Sequence, residues 1–140
     1  MTVDFSSFNY LAVAVAVVLN MVAGAFWYSP VLFAKPWTRL TGITNETVAQ
    51  RRSETYRGYA IAAVASIVIV MALAILVQLT GATTALDGLV LGLLGGVGFA
   101  ATSQAASYAF EFRPLPLYLI NVGYSVIANG AIGVLLALWR

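Results

Sequence analysis

The chain has 140 residues, of which 61% are hydrophobic and only 9% are charged, and its mean hydropathy is +0.93. A soluble domain carries about 25% charged residues, so this composition excludes an ordinary water-soluble fold. The lack of cysteine and histidine excludes disulfides, thiolate metal sites and histidine acid–base chemistry, and we expect no cofactor. The net charge is +2, but the cations lie beside apolar segments, so anionic lipid headgroups are the expected counterpart and nucleic acid is not.

Four stretches of the sequence contain no Asp, Glu, Lys or Arg: 5–34, 58–86, 88–110 and 114–139. Each is longer than the ~20 residues that a helix needs to cross ~30 Å of hydrocarbon. The sequence therefore predicts an all-α membrane protein, a single transmembrane domain over 1–140 with four transmembrane helices in an antiparallel bundle. The predicted helices are 9–28, 59–79, 86–109 and 117–139.

The first predicted helix ends in a stretch rich in aromatic residues and proline, Gly24 to Trp37. Tryptophan and tyrosine rings settle at the headgroup level of a bilayer, and a proline marks a break or a new first turn of helix. We therefore predict that the chain turns here and runs along the membrane surface. The residues of this interfacial motif are Trp27, Tyr28, Pro30, Phe33, Lys35 and Trp37.

The long connection 29–57 carries five cations and two anions, a net charge of +3. The positive-inside rule places this loop in the cytoplasm and both chain termini outside a multi-pass cell membrane protein. Thr44 or Asn45 can cap a helix over about 45–57, which we expect in the cytoplasm or at the interface. Four arginines of the loop are predicted to contact anionic lipid: Arg39, Arg51, Arg52 and Arg57.

Small residues recur at every fourth position in the third predicted helix, after a predicted capping box at Thr84-x-x-Asp87. Lipid supplies no hydrophobic drive between helices, so close helix contacts need such residues. We therefore predict that this helix is central or lies at a seam between subunits. The residues of its helix-packing face are Gly88, Gly92, Gly96 and Ala100. Similar series occur in the first and fourth helices: Ala12, Ala16, Asn20 and Gly24, and Asn121, Ser125, Asn129 and Gly133.

Polar side chains in the middle or inner half of the bilayer should turn away from lipid, where an amide without a partner is costly. The predicted buried polar cluster comprises Asn20, Ser103, Gln104, Asn121, Ser125 and Asn129. Two interpretations are open: interhelical hydrogen bonds that contribute about 0.6–2 kcal/mol each, or a neutral polar cavity that opens to the cytoplasm. No ionisable residue lies deep in a predicted helix, which argues against a proton relay.

The exit of the first helix, Gly24-x-x-Trp27-Tyr28-Ser29-Pro30 followed by Phe33 and Lys35-x-Trp37, resembles the domain of unknown function 1761 family of small prokaryotic membrane proteins. Two later stretches agree more loosely: Phe110-Glu111-x-Arg113-Pro114 and Ile120-Asn121-x-Gly123-Tyr124. The resemblance covers nearly the whole chain and implies a four-span integral membrane protein. It implies no reaction, ligand or catalytic residue.

The sequence contains no nucleophile elbow, no phosphate loop and no carboxylate pair suited to acid–base work, so we do not expect an enzyme. The leading hypothesis is a structural or interaction subunit that forms a homo-oligomer or joins a larger membrane complex. It rests on the number of helix faces with small residues, which is larger than four short helices need for contacts among themselves. The alternative is a small-solute transporter or channel, with a neutral polar path lined by Asn20, Gln104, Asn121 and Asn129.

Overall fold

The computed structural model describes residues 2–139, and within them the chain is helical, with no strand. Four helical stretches are long and apolar enough to cross a membrane: Tyr10–Trp27, Arg52–Thr80, Ala85–Phe110 and Leu115–Leu138. The prediction of an all-helical chain with four such helices is therefore confirmed. The largest difference from the predicted boundaries is in the second stretch, which begins at Arg52 and not at residue 59.

The elements follow in chain order from a short 3-10 turn at Phe5–Ser7. They are α1 (Tyr10–Trp27), α2 (Ala34–Thr41), α3 (Asn45–Gln50), α4 (Arg52–Thr80), α5 (Ala85–Leu93), a π-helical stretch (Leu94–Ala101), α6 (Thr102–Phe110) and α7 (Leu115–Leu138). The third apolar stretch thus contains α5, the π-helical stretch and α6 without a break.

The connection between α1 and α4 holds two short helices. Of the two residues predicted to cap a helix here, Thr44 caps the second short helix, and its hydroxyl accepts from the Thr47 amide at 3.3 Å. The predicted extent of 45–57 is wrong, because the backbone leaves helical geometry at Arg51 (φ −104°, ψ 44°) and α4 begins at the next residue. The helix α2 was not predicted; it has a proline in its first turn, where no intrahelical donor is needed, and a left-handed glycine, Gly42, at its end.

The predicted capping box at the start of α5 is confirmed. The Asp87 amide donates to the Thr84 hydroxyl at 3.1 Å, and the Thr84 amide donates to the Asp87 carboxylate at 3.1 Å. The π-helical stretch further along was not predicted. Such wide turns are rare and occur often at functional sites, and this one lies in the middle of a membrane-length helix.

The closest helix contact joins α5 and the π-helical stretch to α7. A Cβ added to Gly88 would collide with the carbonyl of Gly133, and one added to Gly92 would collide with the carbonyl of Asn129. A Cβ added to Gly96 would lie 2.7 Å from the Cα of Val126. Residue numbers fall along α7 as they rise along α5, so the two helices run in opposite directions. We call this contact the closed interface.

The remaining core lies between α1, α4 and α7. Ala12, Ala16, Val70 and Ile132 are completely buried there. The helix α4 packs against α1 and α7 and touches α5, but it has no extensive contact with the π-helical stretch or with α6. One side of α4 therefore faces a gap in the packing.

Candidate functional site

The interfacial motif ties the end of α1 to α7. The Trp27 indole donates to the carbonyl of Ile120 at 2.9 Å, and the centroids of the Trp27 and Phe33 rings are 4.6 Å apart. A Cβ added to Gly123 would lie 3.2 Å from the Trp27 ring, so glycine at this position leaves room for the indole. Sequence reasoning assigned Trp27 to the headgroup level, whereas the structure also gives its polar atom a partner inside the protein.

Tyr28 begins a hydrogen-bonded chain of side chains. Its hydroxyl donates to the Asn121 side-chain oxygen at 2.8 Å, and the Asn121 amide donates to the Tyr108 hydroxyl at 2.6 Å. The Tyr28 ring also meets that of Trp37 edge to face at 6.0 Å. This chain connects α1, α6 and α7 and uses both polar atoms of the Asn121 amide. The other two members of the motif, Pro30 and Lys35, are exposed.

Asn20 is the centre of a second hydrogen-bonded group. Its amide nitrogen donates to the Ser66 hydroxyl at 2.9 Å, and the Tyr124 hydroxyl donates to its side-chain oxygen at 2.9 Å. Both Asn20 and Ser66 are buried. The group joins α1, α4 and α7 by bonds that leave the Asn20 amide satisfied. The centroids of the Tyr124 and Tyr28 rings are 5.8 Å apart, so this group lies next to the hydrogen-bonded chain that begins at Tyr28.

The structure does not assemble the other four residues of the predicted polar cluster into one group. The prediction that Ser103 is buried is wrong. The residue is exposed, and its hydroxyl donates to the carbonyl of Ala100 at 3.1 Å. Ser125 is half-buried and bonds back to the carbonyl of Asn121 at 3.4 Å. Gln104 is half-buried, and its side chain has no hydrogen bond within residues 2–139.

Asn129, the last member of the predicted cluster, lies at the floor of a cleft of about 730 Å³ between α4 and the third apolar stretch. Its side chain is only 7% exposed, yet it makes no hydrogen bond in the part of the chain that the structure describes. A Cβ added to Gly95 would lie 3.9 Å from its amide nitrogen. We call this opening the lateral cleft.

The walls of the lateral cleft are apolar and contain several small residues. Its lining includes Ile69, Ala72 and Leu76 of α4, and Gly95, Ala100 and Ser103 of the opposite wall. Ala100, which was predicted to share the packing face of Gly88, lies here, because the π-helical stretch alters the angular register beyond Gly96. Ligand pockets typically combine such apolar walls with one or two polar groups.

The basic residues of the connection between α1 and α4 are at the surface. Arg39, Arg51, Arg52 and Arg57 are all exposed. Arg51 pairs with Glu54 at 3.4 Å, and an exposed pair of this kind contributes little to stability. The four side chains are therefore accessible to anionic headgroups, as the predicted lipid contact requires. No group of three His, Cys, Asp or Glu that could hold a metal ion occurs among residues 2–139.

Sequence reasoning did not include Tyr28, Tyr108 and Tyr124 in the polar cluster, although all three hydroxyls bond to its asparagines. A signal was present: Gly24 lies opposite Tyr124, and a Cβ there would come within 3.2 Å of the tyrosine hydroxyl. Glycine in an apolar helix indicates close approach of another group, and the partner can be a ring as well as a helix backbone.

These observations define a helical protein with four membrane-length apolar helices, joined by two part-buried groups of asparagine and tyrosine side chains and open on one side. The model of the family described as Protein of unknown function (DUF1761) matches residues 11–137. The chain therefore belongs to this family, as the resemblance at Gly24 to Trp37 predicted. No curated protein and no solved structure matches the chain.

Proposed function

We propose that the protein is a non-catalytic membrane subunit that works by assembling with another membrane-spanning chain, one helix of which occupies the lateral cleft. The observation that carries this proposal is the Asn129 side chain, which is 7% exposed and has no hydrogen bond within residues 2–139. Because Asn129 lines the open cleft, lipid tails there would leave its amide without a partner, at a cost of about 2–7 kcal/mol. A helix in the cleft would supply an acceptor that lipid tails lack.

The walls of the cleft support the same proposal. Ala72 and Gly95 line it from opposite sides, and such small residues contribute nothing by facing lipid. In membranes they are typical of positions where another helix approaches closely. A helix is also long enough to cover the exposed side of α4 both inside the cleft and beyond it.

The structure changes the basis of the interaction hypothesis. Gly88, Gly92 and Gly96 meet α7 of the same chain, so this face is not available to a second subunit. The surface proposed here is instead formed by α4, which the sequence analysis did not single out, and by the π-helical stretch with α6.

For the membrane arrangement we propose a multi-pass protein of the cell membrane, with four antiparallel spans, residues 29–57 in the cytoplasm and both termini outside. The support is the positive-inside rule together with the exposure of the cations Lys35, Arg39 and Arg57 on this connection. The helix α2 would lie along the interface, since its Trp37 packs against Tyr28 at the end of α1. Arg39, Arg51, Arg52 and Arg57 would then reach anionic headgroups.

A solute path is a weaker proposal. Asn20 and Asn121 both use their amide nitrogens and oxygens within the bundle. Of the four residues predicted to line such a path, Asn129 faces the lateral cleft, and the half-buried Gln104 does not line it. Asn20→Leu together with Asn129→Leu should leave solute flux in proteoliposomes unchanged; a loss of flux in a folded double variant would favour transport.

Photo-crosslinking in native membranes tests the assembly proposal. A photoreactive side chain at Ala72, on the cleft wall, should give a covalent product larger than the monomer. The same group at Ile67 is the matched control, because Ile67 is exposed on the opposite side of α4. Products of monomer size alone from Ala72, or equal products from both sites, would contradict the proposal.

A further inference from the structure

We infer that the helix in the lateral cleft is α4 of a second copy of this chain, and that the protein forms a dimer in which each copy places its α4 in the other's cleft. This inference rests on the proposed function and names its partner. It commits to one surface, the side of α4 that faces the cleft.

The exposed side of α4 has the pattern of a helix that pairs with its own kind. Its residues follow the alternating four- and three-residue spacing of a coiled-coil seam, and all are exposed: Gly58, Ala62, Ala65, Ile69, Ala72 and Leu76. Four of the six are glycine or alanine, which allow close contact of helix backbones in a membrane. A Cβ added to Gly58 would meet nothing within 4 Å, so no contact within the chain explains that glycine.

The two-fold symmetry of a dimer in the membrane is consistent with α4 of one copy as the occupant of the cleft in the other. Two copies inserted in the same orientation are related by a two-fold axis along the membrane normal, so their α4 helices are parallel and equivalent residues lie at the same depth. In such an isologous contact one patch serves both subunits. Here α4 lines the cleft of its own copy and also enters the cleft of the second copy. Both clefts are therefore filled in the same dimer, and neither stays exposed.

The position of Asn129 favours a helix over a lipid as the occupant of the cleft. It lies near the middle of α7, at a depth that phospholipid headgroups and ester groups do not reach. A helix with alanine at the contact exposes its backbone carbonyls to an approaching amide. The Asn129 amide nitrogen of one copy would thus donate to a carbonyl of α4 in the other copy.

Single-cysteine variants test this arrangement cleanly, because the chain has no cysteine. Ala65→Cys places the thiol on the seam, next to its equivalent in the second copy. Ile67→Cys, also exposed but on the opposite face, is the control. Oxidation in native membranes should convert Ala65→Cys to a disulfide-linked dimer and leave Ile67→Cys monomeric.

A second pair of variants tests insertion into the cleft. Ile69 and Ser103 line opposite walls, so α4 of the second copy would bring its residue 69 next to Ser103. Two differently tagged chains, one carrying Ile69→Cys and the other Ser103→Cys, should form a mixed crosslink when they are expressed together. Ile67→Cys in place of Ile69→Cys should not.

The role of Asn129 is tested by Asn129→Leu in the Ala65→Cys background. Each copy contributes one interhelical hydrogen bond from Asn129, so Asn129→Leu removes two from the dimer and should weaken dimer formation in micelles by about five- to thirtyfold. Unchanged dimerisation would overturn the assigned bond between Asn129 and α4.

The outcomes separate this inference from the proposed function. If Ala65→Cys stays monomeric while photo-crosslinking from Ala72 captures a different protein, the inference fails and the proposed function stands. If neither site gives a product, both fail. Native mass spectrometry that finds a monomer with a lipophilic molecule, retained by the wild type and lost from Asn129→Leu, would also overturn both.

Discussion

The closed interface and the lateral cleft are both lined by small residues, but only the closed interface is filled by another helix of the chain. At the closed interface, Gly88 and Gly92 touch the backbone of α7, and no side chain could be added at either glycine. At the lateral cleft, Ala72 and Gly95 face one another across a gap of about 730 Å³. Small residues therefore indicate that a helix comes close, but the chain must be folded to show whether that helix is its own.

The core between α1, α4 and α7 and the lateral cleft differ in whether a buried amide has hydrogen-bond partners. Asn20 has a donor and an acceptor partner at 2.9 Å each. Asn129 is equally buried, at 7% exposure for both residues, and has no hydrogen bond within residues 2–139. A satisfied amide stabilises the monomer, whereas an unsatisfied one favours binding of whatever supplies the missing partner.

The largest expected effect separates a glycine of the closed interface from an exposed one. In Gly92→Ala the new methyl group would collide with the Asn129 carbonyl and lie 2.7 Å from the Cα of Gly130. Because both obstacles are backbone, α5 and α7 must move apart, at a cost of about 3 kcal/mol. Thermal unfolding in detergent should show a large fall in stability.

The control for that substitution is Gly98→Ala. A Cβ at Gly98 meets nothing within 4 Å, and alanine favours helix over glycine by up to about 1 kcal/mol. Stability should be unchanged or higher. Equal losses from the two variants would show that the closed interface is not packed as described.

The next effect compares the same substitution in the core between α1, α4 and α7 and at the lateral cleft. Asn20→Leu removes the partner of Ser66 and of Tyr124 and should lower the free energy of unfolding of the monomer by about 1–3 kcal/mol. Asn129→Leu removes an amide that has no partner and should leave the monomer as stable or make it more stable. Unfolding is measured at a detergent-to-protein ratio at which the proposed dimer dissociates. A loss of the same size from Asn129→Leu would mean that its amide is bonded within the chain.

The contrast between these asparagines shows where sequence reasoning ends. Windows without charge predicted four membrane-length helices, and the spacing of Thr84 and Asp87 predicted the start of α5. Depth in the bilayer was a sound argument for Asn20, but it failed for Ser103, which has comparable depth and points outward. Depth fixes the position along a helix and leaves the rotation about its axis undetermined.

The π-helical stretch is the physical reason why that rotation could not be read from spacing. A regular helix would keep Ala100 on the face of Gly92 and Gly96, but the wider turns at Leu94–Ala101 shift later residues around the axis. Ala100 consequently lines the lateral cleft. The three glycines of this stretch, Gly95, Gly96 and Gly98, do not by themselves distinguish a π-helix from an α-helix in the sequence.

A smaller effect tests the hydrogen-bonded chain that begins at Tyr28. Tyr28→Phe removes the donor to the Asn121 side-chain oxygen, a bond of 2.8 Å, and keeps the ring that packs on Trp37 and Tyr124. We expect a loss of about 0.5–1.5 kcal/mol in the unfolding free energy. Phe110→Leu, at a side chain that is 84% exposed, is a control that should change little. No loss from Tyr28→Phe would indicate that water replaces the hydroxyl.

The smallest expected effect belongs to the lateral cleft. The Ser103 hydroxyl donates only to the Ala100 carbonyl of its own helix, so Ser103→Ala should change monomer stability by no more than about 0.5 kcal/mol. Ser103→Leu should be just as well tolerated by the monomer, because the residue is exposed, but its side chain would fill part of the cleft. The Ala65→Cys disulfide yield should therefore be retained with Ser103→Ala and fall with Ser103→Leu. If the bulky variant forms as much dimer as the small one, the partner helix does not enter the cleft at this level.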